Sequence, residues 1–498
     1  ALRQRMLTAA PDGLSAGLEA GAEAADAALL LAASNPWWQD PDWNPATDGQ
    51  GAAFRALSTL LLGAAPPSLV VIEGSRQTGK SQLLDALAGA LLGGGAAARR
   101  VCRLPLEHGP MRWLAPELLV ETWQTGDGCA AAADHGSARE FVLIDDAQLW
   151  SGAALDSMAQ YAVEAGRVLV FAGLALADCV ARWRAVGLRV AHCRLAPLDF
   201  AAFLAVRGIT PALPARPQSL RALFEWPAAD FPAAQTGLAA LAAPFQDYLQ
   251  RGGYPGAVHA PDVASAQRVL REQVVMRSLR WDAVTHHGVR RVDELEATLT
   301  LLAHAAGAPL DVPQLCARLT VERPTVRHFL ELLEQLALLV RVPPLGYGER
   351  VQRARPLVYM ADPALGAALW WQQAPPQTRQ AESALLLHLL RAYGRRGRVR
   401  FLPLARQAGH VLLVTAGASA LPFALHWGAQ AADPRLLTAL ASACTREGIA
   451  RAYLVTRDAD EFGPLPAPRD SGVAVMRIPA PLLCLWLAAA APAALDPG

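Results

Sequence analysis

One lysine stands among the 45 basic side chains of this sequence, and it is Lys80, within Gly74-Ser-Arg-Gln-Thr-Gly-Lys-Ser81. A chain that uses arginine almost everywhere keeps lysine where a guanidinium cannot substitute, and a G-x-x-x-x-G-K-[ST] loop is such a place. There the ammonium acts as a compact point charge against β- and γ-phosphates. The glycines let backbone N–H groups turn inward, and the helix that follows adds its positive end. Gly74, Ser75, Arg76, Gln77, Thr78, Gly79, Lys80 and Ser81 are therefore the expected cradle for ATP, with the Ser81 hydroxyl on Mg2+.

A second group fits the same chemistry. Phe141-Val-Leu-Ile144 reads as a buried strand with Asp145-Asp146 at its tip, where ligands bind in open α/β sheets. Asp145 suits a Mg2+-holding aspartate, and Asp146 stands where many ATPases carry a glutamate that orients the attacking water. It is one methylene shorter, which predicts slow turnover. After the third strand, Arg167-Val-Leu-Val-Phe-Ala-Gly173, the residues Ala172-Gly173-Leu174 offer no Ser, Thr or Asn to sense a γ-phosphate. Arg182, Arg184, Arg189 and Arg194 follow and are candidates to act on phosphates.

These residues need elements to hold them. Leu69-Val-Val-Ile72 is a continuous apolar run like a buried parallel strand, and Gln82 to Leu87 begins a helix, so the order strand, loop, helix is met. Apolar strands alternate with helical stretches to about Val206, the pattern of a doubly wound parallel sheet. A proline- and alanine-rich connector spans Gly208 to Pro244, and helical periodicity returns from Phe245 to about Gly307. Val312 to Arg318 and Pro324 to Leu336 then look like two helices in helix-turn-helix order, with Leu338 to Val342 and Pro356 to Met360 pairing behind them. Near the start, Trp37 and Trp38 of Asn35-Pro-Trp-Trp38 are read as an apolar plug for the arm, the alternative being a stack on a base.

A length of 498 residues suggests about three domains, and a net charge of +1 leaves binding of polyanions to local clusters. The seven cysteines are scattered singly, without zinc spacing, and read as reduced core residues; with no signal-peptide pattern, a cytoplasmic protein is expected. Pro481 to Ala491 is too short for a bilayer span and reads as a buried helix.

Taken together, these features resemble the AAA-type P-loop ATPases of bacteria and archaea that fuse the motor to a winged helix and a domain related to PD-(D/E)xK nucleases. Asn35-Pro-Trp-Trp38 and Arg76-Gln77 are similar to that family's motifs. So are Arg194-Leu-Ala-Pro-Leu-Asp-Phe200, Tyr248-Leu-Gln-Arg-Gly-Gly-Tyr-Pro255 and Val358-Tyr-Met-Ala-Asp-Pro-Ala-Leu365. The resemblance makes Arg189 the candidate for the family's catalytic arginine. It implies an α/β fold class: an N-terminal arm (1–51), a P-loop NTPase doubly wound parallel sheet (52–206), a helical lid or connector (207–307), a winged helix (308–360) and a restriction-endonuclease-like α/β domain (361–498).

The last domain departs from that family's pattern. The resemblance puts Glu382 on the first nuclease helix, but Leu412, Ala424 and His426 stand where metal ligands and the catalytic lysine belong. Leucine and alanine coordinate nothing, and no second lysine exists to compensate. Nuclease activity is not expected, and Glu382 is read as capping or pairing with an arginine. Arg391, Arg395, Arg396, Arg398, Arg400 and Arg406 remain, uncompensated by acids, as a phosphate-binding face or a solvated loop. Arg323, Thr325, Arg327 and His328 mark the exposed face of the second helix of the turn, for DNA or a protein partner. The expected function is a slow ATPase whose nucleotide state controls such binding. The alternatives are a nucleotide-gated switch with negligible hydrolysis and a small-molecule kinase resembling thymidine kinases, which would lack that family's zinc cysteines.

Overall fold

The apolar run at residues 69–72 becomes the central strand β1 (Leu69–Gly74), and Leu69, Val70, Val71 and Ile72 are wholly buried, as a parallel strand covered on both faces requires. The structure, a computed structural model, describes residues 20–40, 42–45, 51–107, 111, 114–125, 139–346, 355–370, 376–394, 397–404, 409–417, 419–428, 433–458, 461–466, 471–491 and 495–496. Two compact units divide them. The first takes the described residues of 1–73, 80–193 and 495–498, and the second takes 74–79 with those of 194–494.

In the first unit, β1 is joined by β2 (Val101–Pro105), β3 (Phe141–Asp145), β4 (Val168–Gly173), β5 (Val190–Leu195) and β14 (Leu495–Asp496), in the order β14-β5-β1-β4-β3-β2. β1 with β4, β4 with β3 and β3 with β2 run parallel. β14 lies antiparallel on β5, so residues 495–496, expected with the nuclease-like domain, complete this first sheet instead. Helices Lys80–Gly93, Pro116–Thr125, Gly152–Glu164 and Ala177–Ala185 connect the strands. Ser151 caps the third of these by accepting the Ala154 N–H, as an N-cap serine should.

The second unit is helical from Phe200 to Gln335. Its helices Val292–His304, Val312–Leu319 and Arg323–Gln335 precede an antiparallel pair, β6 (Leu339–Val342) and β7 (Leu357–Met360). Asp311 caps the middle helix and Pro324 is the second residue of the third, so both helix starts fall within a residue of where the sequence puts them. Val326, Phe329, Leu330 and Leu333 are buried, while Arg323, Arg327 and His328 are exposed. One feature is invisible to periodicity: Leu270–Met276 and Ser278–Asp282 are wound as π-helix, a rare conformation that concentrates at functional positions.

Beyond it lies a second sheet of β8 (Arg398–Pro403), β9 (His410–Ala416), β10 (Ser419–His426), β11 (Arg451–Thr456), β12 (Gly463–Leu465) and β13 (Ala474–Pro479), in the order β12-β13-β11-β10-β9-β8. β8, β9 and β10 form an antiparallel meander, while β10–β11 and β11–β13 are parallel. Helix Gln377–Tyr393 packs on one face through Ala381, Leu385 and Leu389, and helix Pro434–Arg446 on the other through Leu440 and Cys444. Ala480–Ala490 is the expected buried helix. Among the described residues no helix is long and apolar enough to cross a membrane.

Candidate functional site

Lys80 is the first residue of its helix and only 8% exposed, an ammonium drawn out of water that needs negative charge nearby. In the same unit Asp145 ends β3 at 3% exposure. Asp146 follows in the left-handed conformation, φ 55°, which turns its N–H back onto Asp145 Oδ1 at 3.1 Å. Burial pushes the Asp146 carboxyl up, the charge of Asp145 adds to the rise, and the Gln148 hydrogen bond and Lys80 pull the other way. The site thus holds an ammonium and two adjacent carboxyl groups whose environments differ.

Gln148, Arg103 and Asp85, to which the motifs assign no role, build this group. Gln148 Nε2 donates to Asp146 Oδ1 at 3.0 Å, while Gln148 Oε1 accepts the Leu174 N–H at 3.0 Å. An amide therefore stands at the end of β4, where residues 172–174 supply none of their own. It explains Gly173 as well, since a Cβ there would run into Gln148 Oε1. Arg103 donates from Nη2 to Asp145 Oδ2 at 2.9 Å and from Nη1 to Asp85 Oδ1 at 2.5 Å. Burial raises the Asp85 carboxyl, and Arg103 opposes that rise.

Asn35 in turn fixes Arg103. It is fully buried, accepts the Arg103 N–H at 2.6 Å, and donates to the carbonyls of Arg103 and Leu31. Trp37 and Trp38 both donate their indole N–H to the Val101 carbonyl at 3.0 Å. The motif Asn35-Pro-Trp-Trp38 is thus a plug on the edge strand β2, and Trp38 carries the Arg99 guanidinium on its ring at 4.6 Å.

The loop itself has the backbone of an anion nest. Gln77 (φ 62°) and Gly79 (φ 90°) are left-handed, and such alternation turns successive N–H groups toward one concavity. Thr78 Oγ1 donates to the Ser75 carbonyl at 2.9 Å across the turn. Gly74 has no room for a side chain, because a Cβ would sit 2.6 Å from the Leu195 carbonyl oxygen and 2.8 Å from Thr78 Oγ1. Two side chains tie the loop into the second unit. Ser75 Oγ lies 3.5 Å from the Tyr254 hydroxyl, and Arg76 grips Asp282 through Nε and Nη2 at 2.6 and 2.7 Å.

Tyr254 belongs to a junction where three motifs, far apart in sequence, meet. Leu198 donates its N–H to the Gly253 carbonyl at 2.6 Å. Gly253 donates its N–H to Asp362 Oδ2 at 2.7 Å, and Ala364 donates to Asp362 Oδ1 at 2.9 Å. The glycines are obligatory, since a Cβ at Gly252 would strike the Asp362 carboxylate and one at Gly253 the Leu198 backbone. Burial pushes Asp362 up to about 6 against the pull of these two N–H groups and of Arg391. His388, equally buried, is lowered to about 4 by burial and by Arg391. It accepts the Phe200 N–H at 3.1 Å on Nε2, so its other nitrogen, 2.7 Å from the Ala384 carbonyl, carries the proton.

Other expectations change. Arg391, read as part of a phosphate-binding face, is instead the cation of this junction: it donates to the Pro197 carbonyl and lies 3.9 Å from Asp199. Arg400 is half-buried and donates to the Gly346 carbonyl at 3.1 Å, which leaves Arg398 exposed; Arg395, Arg396 and Arg406 lie outside the described residues. Glu382 pairs with a histidine rather than an arginine, at 2.6 Å from His410 Nε2, which also meets the Tyr359 hydroxyl at 2.7 Å. Leu412 and Ala424 do not share a face. Register pairs Leu412 with Phe423, and the two-residue alternation of a strand sends Ala424 to the opposite side. Arg189 is exposed just before β5, and no described contact joins it to Lys80, Asp145 or Asp146. Ser81 is exposed in the first turn of its helix.

Within the loop, the left-handed backbone at Gln77 and Gly79 suits an anion; within the first unit, Lys80 and Asp145 are a buried ammonium and a buried carboxylate. Residues 243–377 match the family model described as Domain of unknown function (DUF8612), a stretch that carries Gly253, Asp282 and Asp362. No curated protein matches the chain. Among solved structures it is similar to AMPPCP-bound DnaA from Aquifex aeolicus, at 13% identity and a TM-score of 0.24, over 61% of this chain and 92% of that one.

Proposed function

We propose that the chain binds ATP with Mg2+ at Gly74–Ser81 and hydrolyses it slowly, and that its nucleotide state governs binding of DNA through a winged helix (308–360). The observation that carries this reading is the lone lysine, buried at the head of a helix directly after a nest-forming loop. Lys80 offsets phosphate charge, which rewards its burial. Ser81 and Asp145 would hold Mg2+, the ion supplying charge neutralisation on the phosphates. Asp146 stands where the attacking water would be oriented, and Gln148 fixes its direction. Arg189, exposed at the head of β5, is offered to a neighbouring subunit. Arg323, Arg327 and His328 present the charge of the third helix of the winged helix to phosphates. The second sheet is read as a degenerate nuclease-like domain, with Leu412, Ala424 and His426 where that class carries metal ligands and the catalytic lysine.

Calorimetric titration with ATP and Mg2+ tests the core of this. Wild type should bind and Lys80→Ala should not, and equal heats from the two would refute the assignment. A second reading, a switch without hydrolysis, is favoured by one observation: Arg103 already occupies Asp145. Single-turnover phosphate release in wild type and Asp146→Glu decides between them, release by the glutamate variant alone supporting the switch.

A further inference from the structure

We propose that Asp282 is a positioning residue for the phosphate loop: through Arg76 it holds Gly74–Gly79 in the nest conformation, and a triphosphate seated there in turn steadies the helix that carries it. The proposal rests on the nucleotide reading above and extends it to the element that senses occupancy. Asp282 has no exposed surface and Arg76 only 11%, and their two parallel hydrogen bonds are the bidentate fork that guanidinium and carboxylate make best. Arg76 sits between Ser75 and the left-handed Gln77, so its tether acts on the segment of backbone that forms the nest.

The far end of the tether is equally telling. Asp282 closes the second of two consecutive π-helical stretches, Leu270–Met276 and Ser278–Asp282. Such turns are rare and are frequently found at functional sites. A carboxylate buried there is tolerable because a cation meets it, and that cation comes from the loop, 206 residues away in sequence. Coupling of this kind is reciprocal: if the pair preorganises the loop for ATP, bound ATP must stabilise the pair and its helix by the same factor.

The test combines hydrogen–deuterium exchange over residues 263–287, with and without ATP and Mg2+, and calorimetric affinities for wild type, Asp282→Asn and the double variant Arg76→Met with Asp282→Leu. The double variant replaces the buried pair by apolar side chains of similar size and keeps the test open if the single variant fails to fold. In wild type, ATP should slow exchange over 263–287 by about threefold or more; both variants should bind ATP about tenfold more weakly and lose the ATP-dependent slowing. ATP binding by wild type without any change in exchange over 263–287 overturns the proposal and leaves the nucleotide reading standing. Variant affinities within twofold of wild type do the same. No heat with ATP in wild type removes both.

Discussion

At the scale of single residues, Asn35 shows how an uncharged side chain supports a charged site. Its amide closes hydrogen bonds to the backbone of Arg103 on both sides, and the Arg103 side chain spans Asp85 and Asp145. Asn35→Ala leaves the Arg103 N–H and C=O without that partner in a buried setting, which should cost about 2–4 kcal/mol, read as a lower urea midpoint at unchanged slope. Gly173 and Gln148 form a different kind of pair. Gly173→Ala should cost about 1–3 kcal/mol because the new Cβ evicts the Gln148 amide, and the same change in a Gln148→Ala background should cost less than half as much. Additive losses in that double-mutant cycle would contradict the assignment of Gly173 to the amide.

At the scale of elements, the junction of Leu198, Gly253 and Asp362 holds two ionisable groups whose titrations oppose each other. Asp362 titrates near 6 when folded and 3.8 when not, so between those values the folded chain binds the extra proton and stability falls as pH rises. His388 titrates near 4 when folded and 6.5 when not, so the unfolded chain binds the extra proton and stability rises with pH. Each slope approaches about 1.4 kcal/mol per pH unit, and in wild type they largely cancel between ~4 and ~6. His388→Gln, which keeps an acceptor for the Phe200 N–H, should unmask a fall in stability across that range, and Asp362→Asn a rise. Urea melts at the two ends of the range read the slopes, and a flat profile in both variants would rule out the balance. Elements of this kind also mark what sequence can convey. The loop, the helix starts at Val312 and Arg323, and the buried face of Val326, Phe329 and Leu330 follow from spacing within a few residues. Arg103, Gln148 and Asp282 were illegible because their roles arise from partners that only the fold brings near: Asp145 lies 42 residues from Arg103 and Arg76 lies 206 from Asp282. The motif containing Asp362 was visible, but its reason, two backbone N–H groups and a pair of glycines with no space for Cβ, was not.

At the scale of the whole molecule, composition supplies a probe of the site. The sequence carries 45 basic side chains and 44 acidic ones, and because one of the 45 is lysine, an amine-directed reagent has a single side-chain target in it. That amine is 8% exposed, and its charge is felt by Asp146, so acylation should be slow, with a rate governed by local opening rather than by the reagent. Surface guanidiniums do not compete, since arginine stays protonated at any pH the folded chain meets. If a triphosphate occupies the nest at Gly74–Gly79, ATP with Mg2+ should slow modification of Lys80 by about tenfold or more at saturation. The readout is one peptide mass, followed over time with and without nucleotide. Protection by ATP and not by adenosine would locate the effect at the phosphates. Equal rates under all three conditions would show that the lone ammonium of this sequence does not face a bound phosphate chain, and the reading of the loop would have to be abandoned.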